Sequence, residues 1–398
     1  MRWKHRKTCK PTAWEAARDL ATGSSKPSMQ AANAEHQHNI KRQHNMKQLA
    51  TLVLLALLAG CVRNELPTKQ SNAKSKVDHL IIKEVFYIGH YWVRDVSKWG
   101  FKNTNNNYND DQYIEIYNPT DQVQYLDNMA LCAHAIDPTK VITFAPKDDF
   151  VNRYYGVNAI SYFPGSGHDL PIQPKQSIIV AKYATDHKAM FEKELEGEDL
   201  SLYKGLDAFL DLRKANFEWT NANYDHSGKN NPDVPDLQAI MTRKDKSGNT
   251  IPSYEMQEIS EHGGLALVRL PWTPEDFAKN YKDTKDKRGY LHYITVTSSA
   301  FADFEAIEIP FEYVVDCITI CPRSQFQMRP SKLDKGYNAV TDVPFVSLKN
   351  SDYPTYSGLA LTRRWDGRKF VDDDNTKSDF KVQVASLSRK DDKGNPIK

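Results

Sequence analysis

The chain has 398 residues and a formal net charge of +2, with 40% hydrophobic and 26% charged residues. That composition excludes a disordered or collagen-like chain and suits either one large β domain or two smaller domains. The charge is uneven: residues 1–60 carry a net +7 and residues 61–398 a net −5, so the body has no excess of cations to neutralise phosphates and no nucleic-acid partner is expected.

Residues 1–45 are polar and show no apolar periodicity; a histidine-rich stretch (His36, His38, His44) is their one local feature. From Met46 the chain reads MKQLATLVLLALLAGC, a positive start, an uncharged run from Leu49 to Gly60, and then Cys61. The run is too short for a membrane-spanning helix, which needs roughly 20 apolar residues, and has the layout of a signal-peptide core. Leu58-Ala59-Gly60-Cys61 is similar to the lipobox of bacterial lipoproteins, in which the cysteine is acylated and becomes the new N-terminus. The expectation is therefore a start at Met46, with 1–45 a mis-assigned upstream extension. It continues with a signal peptide over 46–60, lipid on Cys61 and a polar, flexible tether over 61–77.

The folded body follows over 78–390. His79 to Ile88 is rich in β-branched and aromatic residues and predicts a strand. Residues 100–111, dense in Asn and Asp, predict a loop. Gln112 to Tyr117 alternates, with Ile114 and Ile116 on one face and Tyr113, Glu115 and Tyr117 on the other, so Glu115 is expected to point outward. Asn118 opens a turn, and Tyr125 to Ala135 predicts the next strand. Further strands are predicted over 176–183, 265–270, 290–297, 311–320 and 358–364, and helical character over Asp186 to Leu212. Short strands separated by polar loops predict a mainly β fold, an immunoglobulin-like sandwich with long loops and a helical insertion at about 139–260.

The stretches IIKEVFYIG and DDQYIEIYNPTDQVQYLDNMALCA resemble the opening of a lamin-tail-like domain, and GLALTRR and VDDDNTKSDF resemble its closing strands. Together with the lipobox, the chain resembles a Bacteroidota lipoprotein family known as domain of unknown function 4876. The likeness runs from Leu80 to Phe380 and is dense only at its two ends. It implies a β-sandwich at the cell envelope and implies no activity.

Candidate sites are few. Beyond Cys61, the body holds Cys132, Cys317 and Cys321. An exported protein meets an oxidising compartment, so Cys132 can pair with Cys317, or all three can be buried thiols. Cys317 and Cys321 on one strand would lie about 13 Å apart, too far to pair with each other. The loop DHSGKNNPDVPD offers Asp225, Asn230, Asn231, Asp233 and Asp236; Asp225, Asn231 and Asp233 are oxygen ligands suited to calcium, although the order is not that of an EF-hand, and a solvated loop fits as well. Gly165-Ser166-Gly167-His168 is not a nucleophile elbow. Tyr91, Trp92 and Trp99 crowd one stretch and read either as an aromatic binding surface or as core.

No catalytic residue is assigned and no cofactor is implied beyond calcium. The leading expectation is a non-enzymatic envelope lipoprotein, anchored to the outer membrane. It would serve an outer-membrane transporter or bind a nutrient ligand such as a glycan or haem. A calcium-supported hydrolase using Asp225 and Asp233, and a surface adhesive module, are the alternatives.

Overall fold

A β-branched, aromatic strand buried on both faces has to lie inside a sheet that is itself covered, and Ile81–Phe86 (IIKEVF) does. The computed structural model describes residues 77–141, 144–145, 152–280, 291–296, 303–327, 331–343 and 357–388. All lie in one compact unit, residues 66–398. The expectations for 1–45, 46–60, Cys61 and the tether up to residue 76 fall outside the described residues.

The fold is mainly β, with open sheets. The first sheet is six-stranded, in the order Phe217–Glu218, Ser177–Ala181, Tyr113–Tyr117, Ile81–Phe86, Leu359–Arg363, Phe380–Val384. The second is eight-stranded. It runs Val314–Ile320, Gly263–Arg269, Met129–His134, Tyr154–Tyr162, Asp303–Pro310, Leu291–Val296, Phe144–Ala145, and Gln238–Ala239 joins the Tyr154–Tyr162 strand from the side. Ile82, Ile114, Ile116, Val180 and Leu361 of the first sheet share one core with Leu131, Leu265, Leu267 and Ile318 of the second. Each such side chain, fully buried, contributes about 1.5–3 kcal/mol.

Period-two alternation divides the second sheet's residues between two cores. Leu265 and Leu267 face the shared core, while Ala266 and Val268 face a second one, closed by Ile240, Trp272 and Phe277. Phe277 belongs to a short helix, Pro274–Asn280. This is why the Gly263–Arg269 strand reads as a continuous apolar run.

Two expectations change. The loop 100–111 contains a strand, Thr104–Tyr108, paired with His90–Arg94. Residues 139–260 do not stand apart as an insertion: Tyr154–Tyr162 and Ser177–Ala181 are interior strands of the two main sheets. Only the helical part branches off. There Asp186 caps the helix His187–Glu194 by accepting from the Ala189 amide, and 3₁₀ turns follow at Leu200–Leu202 and Leu206–Ala208.

Buried charge ties the ends of the body together. The Arg363 guanidinium reaches Asp316 at 2.5 Å and Asp372 at 3.3 Å, and donates to the carbonyls of Ile82 (2.8 Å) and Val371 (3.0 Å). Asp316 also accepts from the amides of Ile82 and Cys317. Glu115 lies on the outer face, as its alternation requires, yet it is 6% exposed and paired with Lys83 at 2.6 Å, so it is covered rather than solvated. No helix among the described residues is long and apolar enough to cross a membrane.

Candidate ligand-binding clefts

Between the hairpin Met241–Lys244/Thr250–Ser253 and the Gly263–Arg269 strand, the chain runs as a strap, residues 254–262, bonded to Ile160 of the second sheet and to Gln112 beside the first. The strap has no ladder of its own, so side chains hold it. Met256 and Ile259 are buried, at 1% and 6% exposure. The Gln112 amide brackets Ile259, accepting from its nitrogen at 2.9 Å and donating to its oxygen at 3.2 Å, and also donates to the Tyr87 carbonyl at 2.7 Å. Tyr254 takes a left-handed conformation, φ 60°, at the entry to the strap.

A cleft opens on each side. One, about 460 Å³, is floored by His134 and Gly264 and walled by Asp137, Glu255, Glu258 and His262. The other, about 500 Å³, is lined by Lys182, Tyr183, Tyr224, Asp225, Glu255 and Glu258. Both use Glu255, Met256, Gln257 and Glu258, so the strap is a shared wall.

The floor of the first cleft is built from the Gly263-Gly264 pair. A Cβ on Gly264 would stand 2.8 Å from the Tyr155 hydroxyl and 3.0 Å from the His134 Cβ, so only glycine fits. His134 stacks on Tyr155 at 4.4 Å, and burial pushes its imidazole down to about 4, which keeps it neutral. In the wall, burial raises the Glu255 carboxyl above the usual carboxylate range, and Asp225 and Asp236 push the same way. The clefts therefore present acceptors, a neutral ring and hydroxyls to whatever enters, and the second also presents Lys182.

The calcium loop packs beside the second cleft in a different form. Asp225 accepts from Ser227, Asn231 donates to the Ala184 carbonyl, and the Asn231 oxygen accepts from the Asp233 amide. These bonds close turns rather than converge on a point. Among the described residues, no group of three His, Cys, Asp or Glu is arranged to hold a metal. The anchor of this loop is Glu218, which the sequence reading passed over. It is fully buried, accepts from the Asn231 amide at 3.1 Å and also from Ala184 and Asn230. Burial pushes it up to about 8 against the pull of those amides.

The aromatic stretch is split by the fold. Trp92 packs on Phe191 at 5.1 Å and Tyr203 at 5.6 Å, Tyr91 is half-buried, and Trp99 stays 53% exposed with Lys98 over its ring. The disulfide between Cys132 and Cys317 is not made. Both residues pair in register with Ala266, one from each side, which places them two strand spacings apart, about 9.6 Å. That is beyond disulfide reach, so the two are not joined.

A family model described as a protein of unknown function (DUF4876) matches residues 173–386. The chain belongs to this family. The matched DUF4876 segment takes in the strap, both walls of the second cleft and the Arg363 cluster. The crystal structure of a DUF4876 family protein from Bacteroides thetaiotaomicron VPI-5482 is similar in fold. The TM-score is 0.52 at 21% identity, over 77% of this chain and 71% of that one. No curated protein matches the chain.

Proposed function

We propose that this chain is a lipid-anchored module of the bacterial cell envelope that binds an extended polar ligand, in the first place a glycan. The ligand lies along the two clefts that meet at Glu255–Glu258. One observation carries this reading: two clefts of about 460 and 500 Å³ share a single polar wall, which suits a ligand longer than either. Hydroxyl-rich chains match such donors and acceptors better than haem, which asks for apolar walls. The scaffold is read as an immunoglobulin-like, lamin-tail-like sandwich, and lipid on Cys61 follows from the lipobox. An outer-membrane transporter is the partner class such an anchored module would serve.

A soluble fragment, residues 66–398, tests it against a panel of neutral and acidic oligosaccharides. A rise in melting temperature with at least one, reduced by Gln257→Ala, is the expected result. Unchanged melting across the panel would remove the glycan reading.

A second reading has an observation of its own. Asp225 and Glu255 line one cleft, and burial raises the Glu255 carboxyl above the usual range; two carboxyls in one cleft are what hydrolysis of glycosidic bonds uses. Asp233 does not line that cleft. Release of reducing sugar from a bound oligosaccharide, abolished by Glu255→Gln, would move the assignment from binding to hydrolysis.

A further inference from the structure

The hairpin between the strands Leu359–Arg363 and Phe380–Val384 carries a third pocket, separate from the two clefts. Trp365 and Phe370 pair across it, and Asp366 fixes its tip by accepting from the amides of Arg368 and Lys369. Phe370 packs edge-on against Trp365 at 5.1 Å and against Tyr117 at 5.1 Å. The resulting pocket, about 460 Å³, is lined by these three rings, by Lys175, Arg368 and Lys369, and by Val77. Its charged lining is wholly cationic. Lys83, paired with Glu115, stands behind, 5.4 Å from the Tyr117 ring; Asp121 is bound to Lys175, and Asp366 at the hairpin tip faces Arg368 and Lys369, so three cations meet two acids here. Trp365 is 56% exposed.

We propose that this pocket takes the phosphate of an anionic lipid headgroup and docks the domain on the membrane that holds its own lipid. The inference rests on the anchor reading for Cys61. Three observations join. Cations beside an exposed indole are the side chains that settle at a membrane interface. The residues from 61–398 carry a net −5, so attraction to an anionic surface has to come from a local cluster. Val77, in the pocket wall, is only 16 residues from Cys61. A polar stretch of that length has a typical span of about 20–24 Å, which holds the pocket near the bilayer at a high effective concentration. A weak headgroup contact is then enough to fix the domain's orientation.

The test uses residues 66–398, which lack Cys61 and the apolar run, with vesicles of phosphatidylcholine alone or with about a third phosphatidylglycerol. The protein is expected to pellet with the anionic vesicles only and to be released by high salt. Each cation near the surface is worth about fivefold, so Arg368→Gln with Lys369→Gln should weaken binding about 25-fold. Trp365→Ala should weaken it too, and Lys98→Gln, at the cation over the Trp99 ring, with Lys204→Gln should leave it unchanged. Equal pelleting with both vesicles, or equal loss in both double variants, would overturn the proposal. So would millimolar inorganic phosphate that raises the melting temperature and displaces the protein, since the pocket would then be a soluble-anion site. The mass of the Cys61 peptide from cells tests the anchor independently: unmodified Cys61 would sink the anchor and leave the vesicle result standing.

Discussion

Around Arg363 each nitrogen of a buried guanidinium has an acceptor, whereas around the strap the buried and half-buried polar groups are left partly unanswered. Arg363 is 2% exposed, and Asp316, Asp372 and the Ile82 and Val371 carbonyls take up its donors. Glu255 and His134, which line the clefts, instead carry the cost of burial in shifted titration. The first arrangement closes on itself and has nothing to offer a ligand. The second leaves bonding capacity facing open space, which is what a binding site requires. Buried polarity by itself therefore does not mark function in this fold; unspent polarity beside a cleft does.

The sharpest way to break this contrast is at the hub. Arg363→Met keeps the volume but leaves Asp316 and Asp372 facing a buried space without their cation. Removing one partner of a buried pair costs about 3–5 kcal/mol. Urea denaturation of residues 66–398 should show a fall of that size. A change below about 1 kcal/mol would mean that the hub is not what ties Ile81–Phe86, Val314–Ile320 and Leu359–Arg363 together.

Glu218 lies between the two cases, satisfied by amides yet pushed up to about 8 by burial. Its folded pKa is above the unfolded value, so the folded state holds the proton more tightly. The stability it contributes is full below about 4.5 and is lost as pH rises through about 8. Wild type should therefore lose stability between these limits, and Glu218→Gln should flatten that part of the curve. Urea midpoints for both proteins at the two ends of the window check it; parallel curves would show that the amides fully compensate the carboxylate.

Much of the frame was legible in the sequence because alternation reports directly on burial. Ile114 and Ile116 face the shared core, and Leu265, Leu267 and Leu361 join them from predicted strands. What failed was context. Thr104–Tyr108 is written in Asn and Thr, which propensity assigns to a loop; Tyr108, stacked on Phe209 at 4.1 Å, and pairing with His90–Arg94 make it a strand. The clefts were out of reach because they depend on where 254–262 lies in space, not on a motif, and their one local signal was Gly263-Gly264. Cys132 and Cys317 show the same limit: chemistry allowed the pair, and the register of Ala266 between them forbids it.

The smallest effect is expected in the second core, at Tyr155. The Tyr155 hydroxyl is buried without a hydrogen-bond partner among the described residues, whereas the Tyr113 hydroxyl donates to Glu84 and accepts from the Leu387 amide. Tyr155→Phe removes a group that has already paid its desolvation, so stability should stay within about 1 kcal/mol of wild type or rise. Tyr113→Phe takes a donor from a buried carboxylate and should cost about 1.5–3 kcal/mol. If the two substitutions cost the same, Tyr155 has a partner in solution, and a water buried beside Gly264 in the second core is the natural one.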